Sequence, residues 1–572
     1  MRYTWARTQG KLMYKKTKTL HYIRIYVSSL ATLTSLLTLA GCGSSSPPDE
    51  SVAGSLSGLT ESGLVLEFNG MSLSVPAGTT SQPFGSIAAG SNYSVTVTTQ
   101  PTQETCTVSN GSGTVPRAAV NVSIHCALNT YSIGGAVTGL TEPGLVLLNN
   151  GVDATQVKPN ATTFAMDTPV TSGGAYAITI NAQPAGETCA VSGESGSDVL
   201  ANVTTVAIQC APWTSAAVTT QYSFTGGTDG NSPSILLQGA DSNFYGIAAG
   251  TPYVSNGTVY QVTLAGAENT LYTFAGVYFG PPLPEGPDGL IQGTDGNLYG
   301  TAFAGGSANE GAFFKLDLAG TLTTLHSFTG GSDGAVPTGR LLQAPDGSFS
   351  GTTLGGGGSN NNGAIFEVST TGAESVLFDM PPTSTNAASP ALLLAHDGTT
   401  YYASAFNSTT PGGGTVYAVS PDGTGRPVYA FNGGSEGSQI GALLEGPDGN
   451  LYGFTASGGT VGGGTAFELT PSGTLTTLYS FGNTNDGDTP SSLIIGNDGN
   501  FYGTTSKGGV SGFGTIFRLT PAGSETVFYS FTGGSDGTGP TNLIQASDGN
   551  FYGLTINGGI DGVGAIFKAV PH

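Results

Sequence analysis

Between Ser491 and Phe531 the apolar residues come in four short bursts. "SSLIIG" (491–496) reads as an apolar strand, and "NDGN" as the turn after it. "FYGTTS" (501–506) is a second strand, separated by the Gly-rich "KGGVSGFG" from "TIFRLT" (515–520), where apolar and polar residues alternate. "PAGS" then turns the chain into "ETVFYSF" (525–531). Runs of this length, rich in β-branched and aromatic residues and bounded by Gly, Asn and Asp, are strands joined by hairpin turns. Four such strands in about 50 residues, repeated radially, make the blade of a propeller.

The pattern does repeat. The Asp of "DGNFYGTT", or its equivalent, stands at Asp241, Asp295, Asp346, Asp397, Asp448, Asp498 and Asp548, at intervals of 54, 51, 51, 51, 50 and 50 residues. That is seven copies of one unit. The seventh stops at its third strand, "AIFKAV" (565–570), while an unassigned strand, "AAVTTQYSF" (216–224), precedes the first. The early strand is expected to complete the last blade and hide both sheet edges. Residues 215–572 are therefore predicted to form a seven-bladed β-propeller closed by an N-terminal strand.

Upstream, residues 53–128 and 131–212 align with one another. "GLTESGLVLEFNG" returns as "GLTEPGLVLLNNG", "YSVTVTTQP" as "YAITINAQP", and "ETCTVSNGSG" as "ETCAVSGESG". Alternation such as Tyr93-Ser94-Val95-Thr96-Val97 marks strands with one buried face. Each copy predicts a small Ig-like β-sandwich, although its Cys spacing is not that of an antibody domain. Cys106 with Cys126 and Cys189 with Cys210 form two pairs at similar spacing, which reads as one disulfide per module in an oxidising compartment. A metal site is the poorer reading, because no His or carboxylate cluster accompanies the cysteines. The expected role of the modules is a stalk.

The first 24 residues hold seven of the fifteen basic residues and no acid, and an apolar stretch follows, ending in Leu39-Ala40-Gly41-Cys42. A cationic start, a short apolar core and small residues form an export signal. The ending resembles a bacterial lipoprotein signal, which implies cleavage after residue 41, lipidation of Cys42 and a flexible tether over 42–52. Translation starts at Met1 or Met13. Beyond the signal, eight Lys/Arg face 37 Asp/Glu, a net of −29. Such a chain repels phosphate backbones, which excludes nucleic acid as a partner. It repels anionic headgroups too, so membrane attachment rests on the lipid alone.

Catalytic motifs are weak. Three G-x-S-x-G matches, around Ser332, Ser435 and Ser535, lie in repeat loops with no helical pattern after them, unlike a nucleophile elbow. His326 replaces the Tyr of "LYSF" and reads as a packing variant, and no His pair suggests a metal or base site. Asp/Asn-rich loops such as "GNTNDGD" (482–488) offer hard oxygens for Ca²⁺, but Asp-Gly and Asn-Gly are also preferred turn residues. The turn reading is favoured, and no cofactor is expected. The loops joining strands four to one and two to three open on one face and vary most. Tyr253, Tyr278, Phe279 and Phe406 lie in them beside Asp229, Asp333, Glu436, Asp486 and Asp536, a combination suited to stacking a sugar or gripping a basic protein patch.

The repeat "DGNFYGTTSKGGVSGFGTIFRLTPAGSETVFYSF" resembles the Gloeo_Verruco (GloVer) tandem repeat, over about 215–572. The resemblance implies an exported bacterial surface protein and brings no reaction or catalytic residues. The fourth copy departs most, with "DGTTYYASAF" at 397–406. The expectation is a monomeric, non-catalytic surface lipoprotein that binds or scaffolds an extracellular protein or glycan. The rival expectations are a carbohydrate-active enzyme, hydrolase or lyase, with its site on the propeller face, and a structural envelope component.

Overall fold

The computed structural model describes residues 47–250, 255–275, 284–358, 361–381, 388–405 and 413–572. The signal segment and Cys42 lie outside the described residues, as do Tyr253, Tyr278, Phe279 and Phe406. The described chain is all-β, interrupted by one 3-10 turn at Gly434–Glu436. It divides into two compact units, Met1–Ala127 and Leu128–His572.

The first unit holds two four-stranded sheets. One is ordered Ser81–Ala88, Asp49–Ser57, Val120–Leu128, Glu104–Ser109; the other Met71–Val75, Leu64–Phe68, Asn92–Thr99, Ser112–Thr114. Asp49–Ser57 runs parallel to Val120–Leu128. The expected tether is therefore shorter than 42–52: Val52, Gly54 and Leu56 alternate inward, and Val52, 1% exposed, belongs to the core. Cys106 and Cys126 are disulfide-bonded within that core.

The second unit opens with a copy of the same arrangement, in which Ile133–Thr138 runs parallel to Val203–Pro212 and Cys189 is bonded to Cys210. Both modules bury a glutamate beside the disulfide. Glu104 accepts hydrogen bonds from the Thr60 N–H and hydroxyl, and Glu187 from those of Thr141, so each carboxylate caps the "GLT" loop. Buried carboxylates require such donors.

Seven four-stranded antiparallel sheets follow, numbered here in chain order. Sheets 1 to 6 are meanders over 231–275, 284–327, 335–379, 388–431, 438–480 and 487–530. Sheet 7 takes three strands from 538–571 and its outer strand from Ala216–Ser223, which pairs antiparallel with Ala565–Pro571. The seventh sheet also packs on the first: the Tyr552 ring lies 4.4 Å from that of Phe244. The same Tyr-to-Phe contact joins sheets 2 and 3, 5 and 6, and 6 and 7. Each sheet is thus covered on both faces, which is why second strands such as Phe501-Tyr502-Gly503-Thr504-Thr505 are buried without alternation. Gly503 has no room for a side chain, since a Cβ there would meet the Phe517 ring at 2.4 Å.

A second seam, between the strand-one-to-two turn and the next sheet, is polar at five of the seven junctions. The turn N–H of Ala240, Thr294, His396, Asn497 and Ser547 donates to Gln292, Gln343, Glu445, Gln545 and Gln238 respectively. At the two remaining junctions the turn residue is Pro345 or Pro447, which has no N–H, and the facing position is Leu394 or Ile495. Donor and acceptor disappear together.

Candidate functional site

Meander connectivity gives the array two sides. One carries the tight turns joining strand one to two and three to four; the other carries the long loops joining two to three and four to one.

On the turn side, Asp498 accepts from the Asn500 N–H, the Asn500 amide and the Tyr502 hydroxyl, at 3.1, 2.8 and 2.8 Å. Asp241, Asp295, Asp448 and Asp548 hold the same three partners. Burial alone would raise these carboxyls, but in Asp241, Asp448 and Asp548 the hydrogen bonds outweigh it and hold them below the usual range. The Asp-Gly-Asn motif is a locked turn, with Gly499 in the left-handed region at φ +76°. In the divergent fourth copy, Asp397 bonds Thr399 and Thr400, and Tyr401 turns to Ser350.

The second module docks on this side. The Trp213 N–H donates to Gly186 O, Arg518 Nη1 donates to Trp213 O at 2.9 Å, and the indole packs edge-on to Phe551. The amides of Thr214 and Ser215 donate to the carbonyl of His572.

On the long-loop side, Asp229, Asp333, Glu436, Asp486 and Asp536 occupy equivalent places, one per loop. Each spends its carboxylate on its own loop. Asp229 accepts from the Thr225 N–H and hydroxyl and from the Tyr222 hydroxyl, and Asp536 likewise from Thr532 and Tyr529. Glu436 bonds Asn432 and Tyr429; Asp486 bonds Gly482, Asn483 and Tyr479. At Asp333 the hydroxyl is replaced by His326 Nε2, 3.3 Å away, so the residue read as a packing variant also bonds the loop acid. The five sit in separate repeats, each bonded within its own loop. Ser332, Ser435 and Ser535 lie in these same loops, with no helix behind them.

Neighbouring loops are stitched together. Thr489 N–H donates to Gly463 O, Gly509 N–H to Asp486 O, Gly539 N–H to Phe513 O, and Ser232 N–H to Val563 O. Large apolar side chains stand exposed along this collar: Val510 at 74% and Ile560 at 79%, with Val461, Phe513 and Ile556 beside them and Phe303 and Leu354 on sheets 2 and 3.

Three ionisable residues have notable surroundings that composition and motif reading did not single out. Glu374 and Glu525 each begin a fourth strand, half-buried, with one oxygen lacking a partner; burial first, then Asp333 or Asp486, pushes both carboxyls up to about 7. Arg340 is exposed on the first strand of sheet 3. Among the described residues, Glu104, Cys106 and Cys126 alone bring three metal-ligating groups within 4.8 Å, and both sulfurs belong to the disulfide. Two shallow grooves lie elsewhere. One, of about 460 Å³, is on the first unit along Ser94–Val97 and Cys106–Val108; the other, of about 260 Å³, runs beside Pro447 and Ile495.

No curated protein sequence matches the chain. A gluconolactonase from Xanthomonas campestris of known structure is 11% identical, over 62% of this chain and 90% of its own, with a TM-score of 0.33. The PQQ-bound aldose sugar dehydrogenase of Streptomyces coelicolor is 15% identical, over 63% of this chain and 100% of its own, with a TM-score of 0.35. Likeness at this level carries no argument about activity. The model of the Gloeobacter/Verrucomicrobia repeat matches at 182–402, 277–438 and 389–572, together more than half of the chain. The chain belongs to the Gloeobacter/Verrucomicrobia repeat family.

Proposed function

We propose that this is a non-catalytic, lipid-anchored protein of the bacterial cell envelope that binds or scaffolds an extracellular protein or glycan through its long-loop side. In this reading the seven sheets are the blades of a closed β-propeller and the two disulfide-bonded modules are Ig-like sandwiches acting as a stalk. The observation that carries it is the asymmetry of the array's two sides. The turn side is consumed by locked turns and by the docked second module. The long-loop side is a stitched collar presenting seven exposed large apolar residues, which soluble surfaces leave uncovered where something else binds. The loop carboxylates support recognition rather than reaction, because each is held by hydrogen bonds to its own loop.

Screening the purified chain on glycan and protein arrays tests the reading. Specific capture, weakened by Val510→Asp with Ile560→Asp and without release of product, is the expected result. Bond cleavage in a captured glycan would replace it with the enzyme reading. The anchor is tested separately: mass spectrometry of the mature N-terminus is expected to find an acylated Cys42, and a start elsewhere would refute it.

A further inference from the structure

The first strands of the seven sheets approach one another in order around the array, and the seventh approaches the first. They therefore line its axis. Each is also the edge strand of its sheet, so its outer row of backbone N–H and C=O groups faces that axis without a strand partner. Six residues before the turn Asp, most sheets carry a small or neutral side chain here: Gly289, Ala391, Ala442, Ser492, Asn542. Sheet 3 carries Arg340.

An insertion puts it there. From Pro337 to Asp346 is nine steps, whereas Pro233–Asp241, Pro287–Asp295, Pro490–Asp498 and Pro540–Asp548 take eight. The register jumps from Thr338↔Thr352 to Leu342↔Ser350, so Gly339, Arg340 and Leu341 together oppose Gly351. Asp288, on the first strand of sheet 2, pins the bulge by accepting from the Thr338 hydroxyl and from the Gly339 N–H at 2.9 Å. Leu341 turns into the core, 3% exposed, and Arg340 is left facing solvent. Bulges of this kind re-aim a side chain.

The guanidinium has no hydrogen-bond or ion-pair partner among the described residues. The other cations of the array are placed differently. Lys315 and Lys568 are paired with Asp295 and Asp548, Arg518 and Arg426 donate to carbonyls, and Lys507 stands at the long-loop end of a second strand, opposite Asp488. The guanidinium faces solvent, and desolvation by the neighbouring strands still holds its pKa below the usual range.

We propose that Arg340 is the binding residue of an axial site for a carboxylated sugar, either a free sugar acid or an acidic unit at the end of a glycan. A planar guanidinium matches a carboxylate with two parallel N–H···O bonds. A phosphate dianion fits less well in a chain of this negative charge, because repulsion grows with ligand charge. The backbone edges of the first strands offer donors and acceptors to sugar hydroxyls. This site deepens the binding function proposed above and rests on it.

The test is calorimetric titration of the full chain with glucuronate, galacturonate and trigalacturonate, with glucose and inorganic phosphate as controls. Uronate is expected to bind at least about tenfold more tightly than glucose, and Arg340→Gln to remove that margin, since a charge-assisted bond of this type is worth about 1.5–3 kcal/mol. Arg340→Lys should keep part of it and Lys507→Gln all of it. Stronger binding of the trimer than of the monomers identifies a chain end as the source; equal binding identifies the free acid. Uronate binding unchanged in Arg340→Gln, tighter binding of phosphate, or no uronate binding by a folded chain would overturn the site. Array capture of some other ligand would then leave the general binding function standing.

Discussion

The seam between sheets 6 and 7 offers a sharp test of how the array is held together. Gln545 accepts from the Asn497 N–H at 2.9 Å and donates to Gly549 O at 3.1 Å. Gln545→Leu removes both. Two neutral hydrogen bonds at roughly 0.5–1.5 kcal/mol each, one of them to a water-accessible turn, amount to about 1–2 kcal/mol. Asn497→Pro deletes the donor instead, and its cost should stay below about 0.5 kcal/mol, because Pro345 and Pro447 occupy the same turn position and proline gains from its stiffer unfolded chain. The two changes should not add. Together they recreate the pairing of Pro345 with Leu394, so the leucine should cost about 1 kcal/mol less in the proline background. Thermal unfolding reports the sum. Hydrogen exchange at the Gly496 and Gly499 amides, which close the turn, reports it locally, with roughly tenfold faster opening expected in Gln545→Leu alone. If Gln545→Leu costs the same in both backgrounds, the seam is not a coupled pair and the compensation at Pro345 and Pro447 is coincidental.

Further outcomes follow from the same geometry. Glu374 and Glu525 hold their protons up to about pH 7 when folded but only to the ordinary carboxyl range when unfolded; stability is thus full below about pH 4.5 and falls as pH rises to 7. Glu374→Gln with Glu525→Gln should flatten melting temperature against pH over that window, by less than the full linkage value because both groups are partly solvated; an unchanged slope would refute it. Replacing Cys106 and Cys126 by Ala opens a link across 20 residues, worth about 3 kcal/mol. Calorimetry should then show the first unit melting earlier with the array transition unmoved, and a shift of both would contradict the division. Trp213→Ala empties a site 8% exposed at a cost of about 3–5 kcal/mol, and limited proteolysis near 210–216 should rise; unchanged resistance would mean that Arg518 and the C-terminal strand alone hold the module.

What could be read in advance was what depends on neighbours in the chain. The turn chemistry of Asp498-Gly499, the strand Phe501–Gly508 and the cysteine pairs are set by local spacing, and repetition multiplied that signal sevenfold. The loop acids were read as ligand groups because one residue type can either cap its own loop or face outward. The choice turns on whether Tyr222, Tyr429, Tyr479 or Tyr529, seven positions earlier on the outer strand, folds back onto the carboxylate. That contact exists because the fourth strand ends beside the loop, a tertiary fact. The bonded seam partners lie 48 to 52 residues apart at four junctions and 309 apart at the fifth, and were visible only as paired losses of donor and acceptor. Arg340 was visible as well, as nine steps where four sister repeats take eight. A search for likeness among repeats passes over such a residue, since likeness records what every sheet needs to fold. Recognition needs something that differs between sheets, and a one-residue insertion carrying an unpaired cation to the axis is such a difference.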